Sequence, residues 1–267
     1  MSKIDQLFSQ LRQSGKKAFM PFITAGDPDL EFTADVLREL AARGSHMCEL
    51  GIPYSDPIAD GPVIQASYTR ALERGVKLPD ILDTVGKVTT DVAAPIITMV
   101  SYSIVYRHGI EAYVAAAKAA GAAGAIVPDL PVEEAGPMAE ICRREDFSLI
   151  QLITPTTPRD RAIRIADQTT GFIYYVSITG ITGERTELPS EIVDNVAWLK
   201  EQTPLPICIG FGISRPDHVR MLKPVADGLI VGSAIVRLVA QTADKPRKDV
   251  LTDIGNYAGE LLAAMED

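Results

Sequence analysis

Eight short, almost wholly apolar runs recur along the chain, separated by segments with helical periodicity. The runs are AFMPFITAG (18–26), MCELGI (47–52), IITMVSY (96–102), GAIVPDL (124–130), SLIQLITP (148–155), FIYYVS (172–177), PICIGFGI (206–213) and DGLIVGSAI (227–235). Continuous rather than alternating apolarity is the signature of parallel strands covered by helices on both faces. Between the runs, Asp29–Arg43 carries Leu30, Val36, Leu37, Leu40 and Ala41 on one helical stripe, and Pro79-Asp80 opens another helix. Glu111–Ala120 is Ala-rich, Val132–Arg144 opens with Glu133-Glu134, and Ser214 precedes Pro216 as an N-cap ahead of a first-turn proline. Eight units in 267 residues is about 33 residues each, the length of one strand and its helix. The pattern predicts an α/β fold and, specifically, a closed (β/α)8 barrel. An open doubly wound sheet usually shows a Gly-rich first turn, and here that turn reads TAGDPD. Met1–Lys16 reads as an extra N-terminal helix that closes the barrel bottom, and no linker interrupts residues 1–267, which read as one barrel domain.

Composition narrows the class of function. Hydrophobic residues make up 46% and charged residues 23%, enough for a large core without staples. Lys and Arg number 26 against 35 Asp and Glu, a net charge of −9, with no basic run of the kind nucleic-acid binding requires. Affinity for a phosphorylated ligand must therefore be local. Cys48, Cys142 and Cys208 are far apart and without CxxC spacing, and with three His there is no zinc ligand set, so no metal is expected. The N-terminal segment lacks the apolar core of a secretion signal and no run reaches the ~20 apolar residues of a membrane span, which points to a cytoplasmic setting.

In such a barrel the chemistry sits where strands end. After the sixth, seventh and eighth runs come ITGITGER, GFGISRPD and VGSAIVRL, which gather Gly180, Gly183, Gly210, Gly212, Gly232 and Ser233 at adjacent loops. Glycine lets backbone N–H groups approach an anion, and Gly232-Ser233 opens a helix whose N-terminus is partly positive. The second run buries Glu49, a carboxylate that is costly in an apolar strand unless it keeps its proton or finds a partner. Asp56 and Asp60 follow in the turn-rich PYSDPIADGP. One strand-borne and one loop-borne acid can hold opposite protonation states, as general acid–base chemistry needs. Ordinary turn aspartates and a Glu paired with a cation would leave the same trace.

The run ELGIPYSDPIADGPVIQ (49–65) is very similar to the signature of the tryptophan synthase α subunit family. PFITAGDP (21–28), Tyr102, PDLPVEE (128–134), ITPTTP (153–158), YYVSITGITGER (174–185), GFGIS (210–214) and GSAIV (232–236) follow in the family's order, over nearly the whole chain. The resemblance implies a barrel that cleaves indole-3-glycerol phosphate to indole and D-glyceraldehyde 3-phosphate, with no cofactor in this chain. It also implies a tryptophan synthase β subunit as partner, pyridoxal phosphate in that partner and an α2β2 assembly. Carried over by residue, it makes Glu49 the catalytic acid and base and Asp60 the second carboxylate. Phe22, Val100, Tyr102, Ile126, Tyr174 and Ile230 become substrate contacts. Thr182 falls on the loop after the sixth strand, placed to meet Asp60, and Gly183, Gly212, Gly232 and Ser233 become the phosphate contacts. One departure is Ile104, where members commonly carry Asn on the face toward the β subunit. It leads us to expect altered coupling to the partner with catalysis kept.

His46, His108 and His218 pair with no nucleophile and read as surface or capping residues. Trp198 falls with Val193 and Leu199 on a stripe that packs helix against barrel. Two other readings remain compatible with the barrel and its phosphate loops. A phospho-sugar epimerase or isomerase would keep the fold and phosphate site, but a metal-dependent one needs His ligands at strand ends, and none of the strand-end segments supplies one. A ligand-binding regulatory subunit would have no need of Glu49 and Asp60.

Overall fold

The computed structural model of the chain describes residues 1–57, 60–176, 190–210 and 212–266. Nine strand segments, β1 (Ala18–Thr24), β2 (Cys48–Gly51), β3 (Ile96–Met99), β4 (Gly124–Ile126), β5 (Ser148–Ile150), β6 (Leu152–Ile153), β7 (Ile173–Val176), β8 (Ile207–Gly210) and β9 (Gly228–Val231), form one sheet in the order β5-β4-β3-β2-β1-β9-β8-β7-β6. Every pair is parallel. Only Gln151 separates β5 from β6, so the two ends of the strand order are one stretch of chain: β5 pairs with β4, β6 with β7, and the ring closes. The Tyr174 N–H donates to the Gln151 carbonyl at 3.1 Å across that junction. This is the expected eight-unit α/β barrel. Where the described residues continue past a strand, the last residues of the apolar run leave the ladder at the barrel mouth. The run at 227–235 ends as a strand at Val231 and continues as the helix Ser233–Ala240.

Strand alternation divides the interior into two layers. Ala18, Met20, Met47, Ile97, Ile126, Ile150, Phe172, Tyr174, Cys208 and Ile230 fill the barrel lumen. Phe19, Ile23, Cys48, Leu50, Ile96, Val100, Leu149, Ile173, Ile209 and Leu229 face outward into the larger core under the helices. The helix Lys3–Gln13 stoppers the lower end, with Ile4, Phe8 and Leu11 in the lumen cluster and the Phe8 ring 5.8 Å from that of Phe172. Ser2 caps it, its hydroxyl accepting from the Asp5 N–H while the Asp5 carboxylate accepts from the Ser2 N–H.

Around the outside, Leu30–Ala42 starts at Asp29, whose carboxylate accepts from the Phe32 N–H at 2.9 Å. Two helical starts differ from expectation. The helix expected from Val132 begins at Gly136, with Pro131–Ala135 in tight turns, and Glu133 instead receives a two-pronged pair of bonds from Arg161 at 2.6 and 2.9 Å. The helix Pro216–Leu222 is preceded by Arg215 at the cap position, not Ser214, and no side chain caps it. Trp198 packs on the outer core beside Leu199, with the Arg159 guanidinium 4.9 Å from its ring; the buried stripe runs through Ile192 and Val196 rather than Val193. All three cysteines are free and buried.

Since Phe8 of the lower helix is buried in the lumen cluster against Phe172, Phe8→Ala opens a cavity there. The expected loss is about 3 kcal/mol, read as a lower urea midpoint, with little change in ligand affinity at the far end. An unchanged midpoint would show that the helix does not hold the barrel closed.

Candidate active site

Where β1, β2, β3, β7 and β9 end, the lumen opens into a cavity of about 710 Å³. Phe22, Met99, Tyr174 and Ile230 project into it from the strands, and Val63 and Ile64 reach it from the first turn of the helix Pro62–Glu73. Two inward-facing glycines make room for the rings. A Cβ on Gly51 would stand 2.6 Å from the Phe22 ring, and one on Gly210 would stand 2.5 Å from the Tyr174 ring.

Glu49 lines this apolar chamber from the middle of β2, side by side with Phe22 on β1 and Ile97 on β3. It is 2% exposed, and neither carboxylate oxygen has a hydrogen-bond partner among the described residues. Burial, reinforced by the negative charge of Asp60, pushes its pKa up to about 8. Asp60 lines the same chamber from the loop, and burial raises its pKa to about 6. Near neutral pH the pair therefore holds one proton, on Glu49, and one charge, on Asp60. The Asp60 backbone is held on both sides. The Asp60 N–H donates to the Pro57 carbonyl at 3.1 Å, and the Gln65 amide donates to the Asp60 and Pro57 carbonyls at 2.8 and 3.3 Å. The helix that follows is tied to the end of β1 by Arg70, which forks onto the buried Asp27 at 2.8 and 2.6 Å.

The opposite side of the cavity has different chemistry. Gly212, Gly232, Ser233 and Ala234 line it, with Arg215 and Arg237 at the edge. Gly232 caps the helix Ser233–Ala240, and its carbonyl accepts from Ile235 and Val236, so the N–H groups of Ser233 and Ala234 belong to the first turn that has no intrahelical acceptor. An anion suits that end; a flat apolar group suits the chamber above Phe22 and Tyr174.

The profile of the tryptophan synthase alpha chain family matches residues 8–265. The chain belongs to the tryptophan synthase alpha chain family. It is 54% identical to the tryptophan synthase alpha chain of Rhodopirellula baltica, covering 100% of this chain and 99% of that one. The crystal structure of the alpha subunit from Legionella pneumophila superposes with a TM-score of 0.90 at 33% identity, covering 100% and 99% of the two chains. A chain from the tryptophan synthase α2β2 complex of the hyperthermophile Pyrococcus furiosus superposes at 0.86 with 39% identity, over 93% and 99%.

Of the residues singled out by analogy with the family, Glu49, Asp60, Phe22, Tyr174, Ile230, Gly212, Gly232 and Ser233 meet at the one cavity. Three do not. Val100 faces outward into the helix-covered core, and the chamber wall on that strand is its neighbour Met99. Ile126 lies in the lumen cluster without lining the cavity. Tyr102 packs on the outer core and against Tyr106, and its N–H donates to Asp129 at 2.7 Å. Thr182 and Gly183 lie outside the described residues. Arg215, Arg237 and His218 line the cavity without having been singled out as site residues. His218 is 2% exposed, not a surface residue, because its ring packs under the Gly212–Ser214 turn. His46 instead accepts from the Phe19 N–H at 3.1 Å, and His108 is exposed at a helix end. Among the described residues no group of three or more His, Cys, Asp or Glu could hold a metal ion.

The raised pKa of Glu49 carries a stability signature. Between pH 4.5 and about 8 the unfolded chain gives up this proton while the folded chain keeps it, so the wild type loses stability as pH rises through that window. Glu49→Gln removes the titration. The urea midpoint of the variant should gain on that of the wild type from pH 5 to pH 8, by an amount corresponding to roughly 3 kcal/mol. A difference independent of pH would mean that Glu49 ionises normally.

Proposed function

We propose that this chain performs the alpha reaction of its family, retro-aldol cleavage of indole-3-glycerol phosphate to indole and D-glyceraldehyde 3-phosphate, with Glu49 as acid and base and Asp60 as the electrostatic partner. The observation that carries the assignment of roles is a buried Glu49 without a hydrogen-bond partner among the described residues, in an apolar chamber that also holds Asp60. Cleavage requires the indole ring to become an electron sink. Glu49 donates its proton to indole C3, and the positive charge that develops on the ring nitrogen is met by the Asp60 carboxylate, to which the ring N–H donates. Glu49, now a carboxylate, takes the proton of the side-chain hydroxyl next to the ring. The C–C bond breaks, its electron pair restores the indole, and the aldehyde of glyceraldehyde 3-phosphate departs. Phe22, Met99 and Ile230 hold the ring, Tyr174 closes one wall, and the first-turn N–H groups at Ser233 and Ala234 with the Gly212 loop take the phosphate.

The acid must be protonated and its partner charged, so kcat/KM should rise through about pH 6 and fall through about pH 8. Glu49→Gln should lower turnover by at least ~100-fold while indole still binds, and Asp60→Asn should remove the acidic limb. Indole release by Glu49→Gln at the wild-type rate would overturn the assignment.

A tryptophan synthase β subunit, carrying pyridoxal phosphate, is the partner this reading supplies, in an α2β2 assembly like that of the Pyrococcus furiosus enzyme. This chain needs no cofactor of its own for the steps above. No described helix is long and apolar enough to cross a membrane, which fits a cytoplasmic setting. Ile104 sits half-buried on the helix Tyr102–His108, packed on the outer core, where Asn is common in relatives. Coupling to a matched β subunit should accordingly be weaker, with Ile104→Asn tightening it in titration calorimetry; ordinary tight binding that the substitution leaves unchanged would contradict this.

A further inference from the structure

His218 is a buried imidazole that the acid–base chemistry does not use, yet it lines the same cavity beneath the phosphate end. Its Nε2 lies 3.3 Å from Nε and 3.2 Å from Nη2 of Arg215. A guanidinium has only donors, so what Nε2 offers Arg215 is a lone pair. Nδ1 faces the Ser214 N–H at 3.3 Å, and the Gly212 backbone also bonds the ring. Burial and the adjacent Arg215 charge both hold the ring neutral, which keeps that lone pair available. One imidazole thus grips two things at once: the backbone turn that contains Gly212, itself held at φ +76° where a side chain would be strained, and the cation that follows the turn.

We propose that His218 is a positioning residue for the phosphate subsite, holding Arg215 and the Gly212–Ser214 turn so that a guanidinium joins the backbone N–H groups in binding the substrate's phosphate. The proposal rests on the phosphate end assigned above. Two nitrogens of an exposed arginine at the cavity edge face a buried acceptor, which helps to orient the planar fork before the ligand arrives and lowers the ordering cost of binding. It also makes the subsite selective for a phosphate over an uncharged tail, because the added group is a permanent cation.

The test uses the full-length chain and steady-state cleavage of indole-3-glycerol phosphate, with inorganic phosphate and D-glyceraldehyde 3-phosphate as competitive inhibitors and indole as the unphosphorylated control. His218→Leu should raise KM and both phosphate inhibition constants about 10-fold, with kcat changed less than about twofold and the indole constant unchanged. His218→Gln, whose amide keeps an acceptor for Arg215 and a polar group for the turn, should restore most of the loss. Arg215→Ala, at an exposed position that does not burden folding, should match His218→Leu, and the double variant should add little to either. The positioning role is overturned if His218→Leu weakens indole as much as phosphate, if Gln fails to rescue, or if the two single losses simply add. If the wild type is inhibited by indole but by neither phosphate compound, the phosphate assignment itself fails and this role falls with it.

Discussion

A carboxylic acid sealed in an apolar chamber with no hydrogen-bond partner on either oxygen is the constraint on which the rest of this molecule turns. Ionised, Glu49 would cost several kcal/mol in desolvation with nothing to offset it. Two inexpensive remedies, an adjacent lysine or arginine or a set of N–H donors, are both absent from the described surroundings of its carboxylate. The cheaper course is to keep the proton, and a proton kept to about pH 8 is a proton available for donation. The apolar wall of Phe22, Met99, Tyr174 and Ile230 is therefore both a seat for a flat ring and the agent that tunes the acid. Asp60, approaching from a loop instead of a strand, stays closer to water and loses its proton first, which splits the roles between two chemically similar groups.

The remainder of the fold separates stability from this strain. The lower lumen is filled by Met20, Met47, Ile97 and Phe172 and sealed by the N-terminal helix, and the larger core lies outside the barrel under the helices. Neither depends on the mouth. The mouth is then free to carry a buried titratable group, inward glycines and a helix start that faces the cavity. The Arg70–Asp27 fork and the Gln65 amide connect the two regions, since they tie Asp60 to the helix after it and that helix to the end of β1. The proposed phosphate end is organised in the same manner, with His218 taking for Arg215 the part that Gln65 takes for Asp60.

Much of this is legible in the sequence because each apolar run carries its own period. The eight strands, the stopper helix and the exceptional positions of Glu49 and Asp60 follow from local pattern alone, and the family likeness adds the chemistry. What pattern does not reveal is parity at a strand's end. The run IITMVSY offers both Met99 and Val100 as chamber walls, and only the register of Glu49 against Ile97 makes Met99 the inward residue and Val100 an outer-core one. Ile126 fails for a related reason, since it faces the lumen but stops below the cavity. His218 illustrates a second limit. A histidine near the start of a polar helix has the local signature of a surface residue, and its burial arises from how a seven-residue helix folds back under a glycine turn, a tertiary fact without a sequence period. Arg215 and Arg237 were hidden by the same cause, being charges on short helical segments that acquire meaning only when three strand ends converge.

The most direct measurement is the titration of the Glu49 carboxyl itself, by carbon-13 NMR of glutamate-labelled protein with Glu49→Gln to assign the resonance. A midpoint near pH 8, with the carboxyl protonated throughout neutral pH, is the result expected of a buried acid that serves as proton donor. A midpoint in the ordinary carboxylate range, near pH 4.5, would mean that Glu49 is charged and solvated at working pH, and the acid role would have to belong to another group.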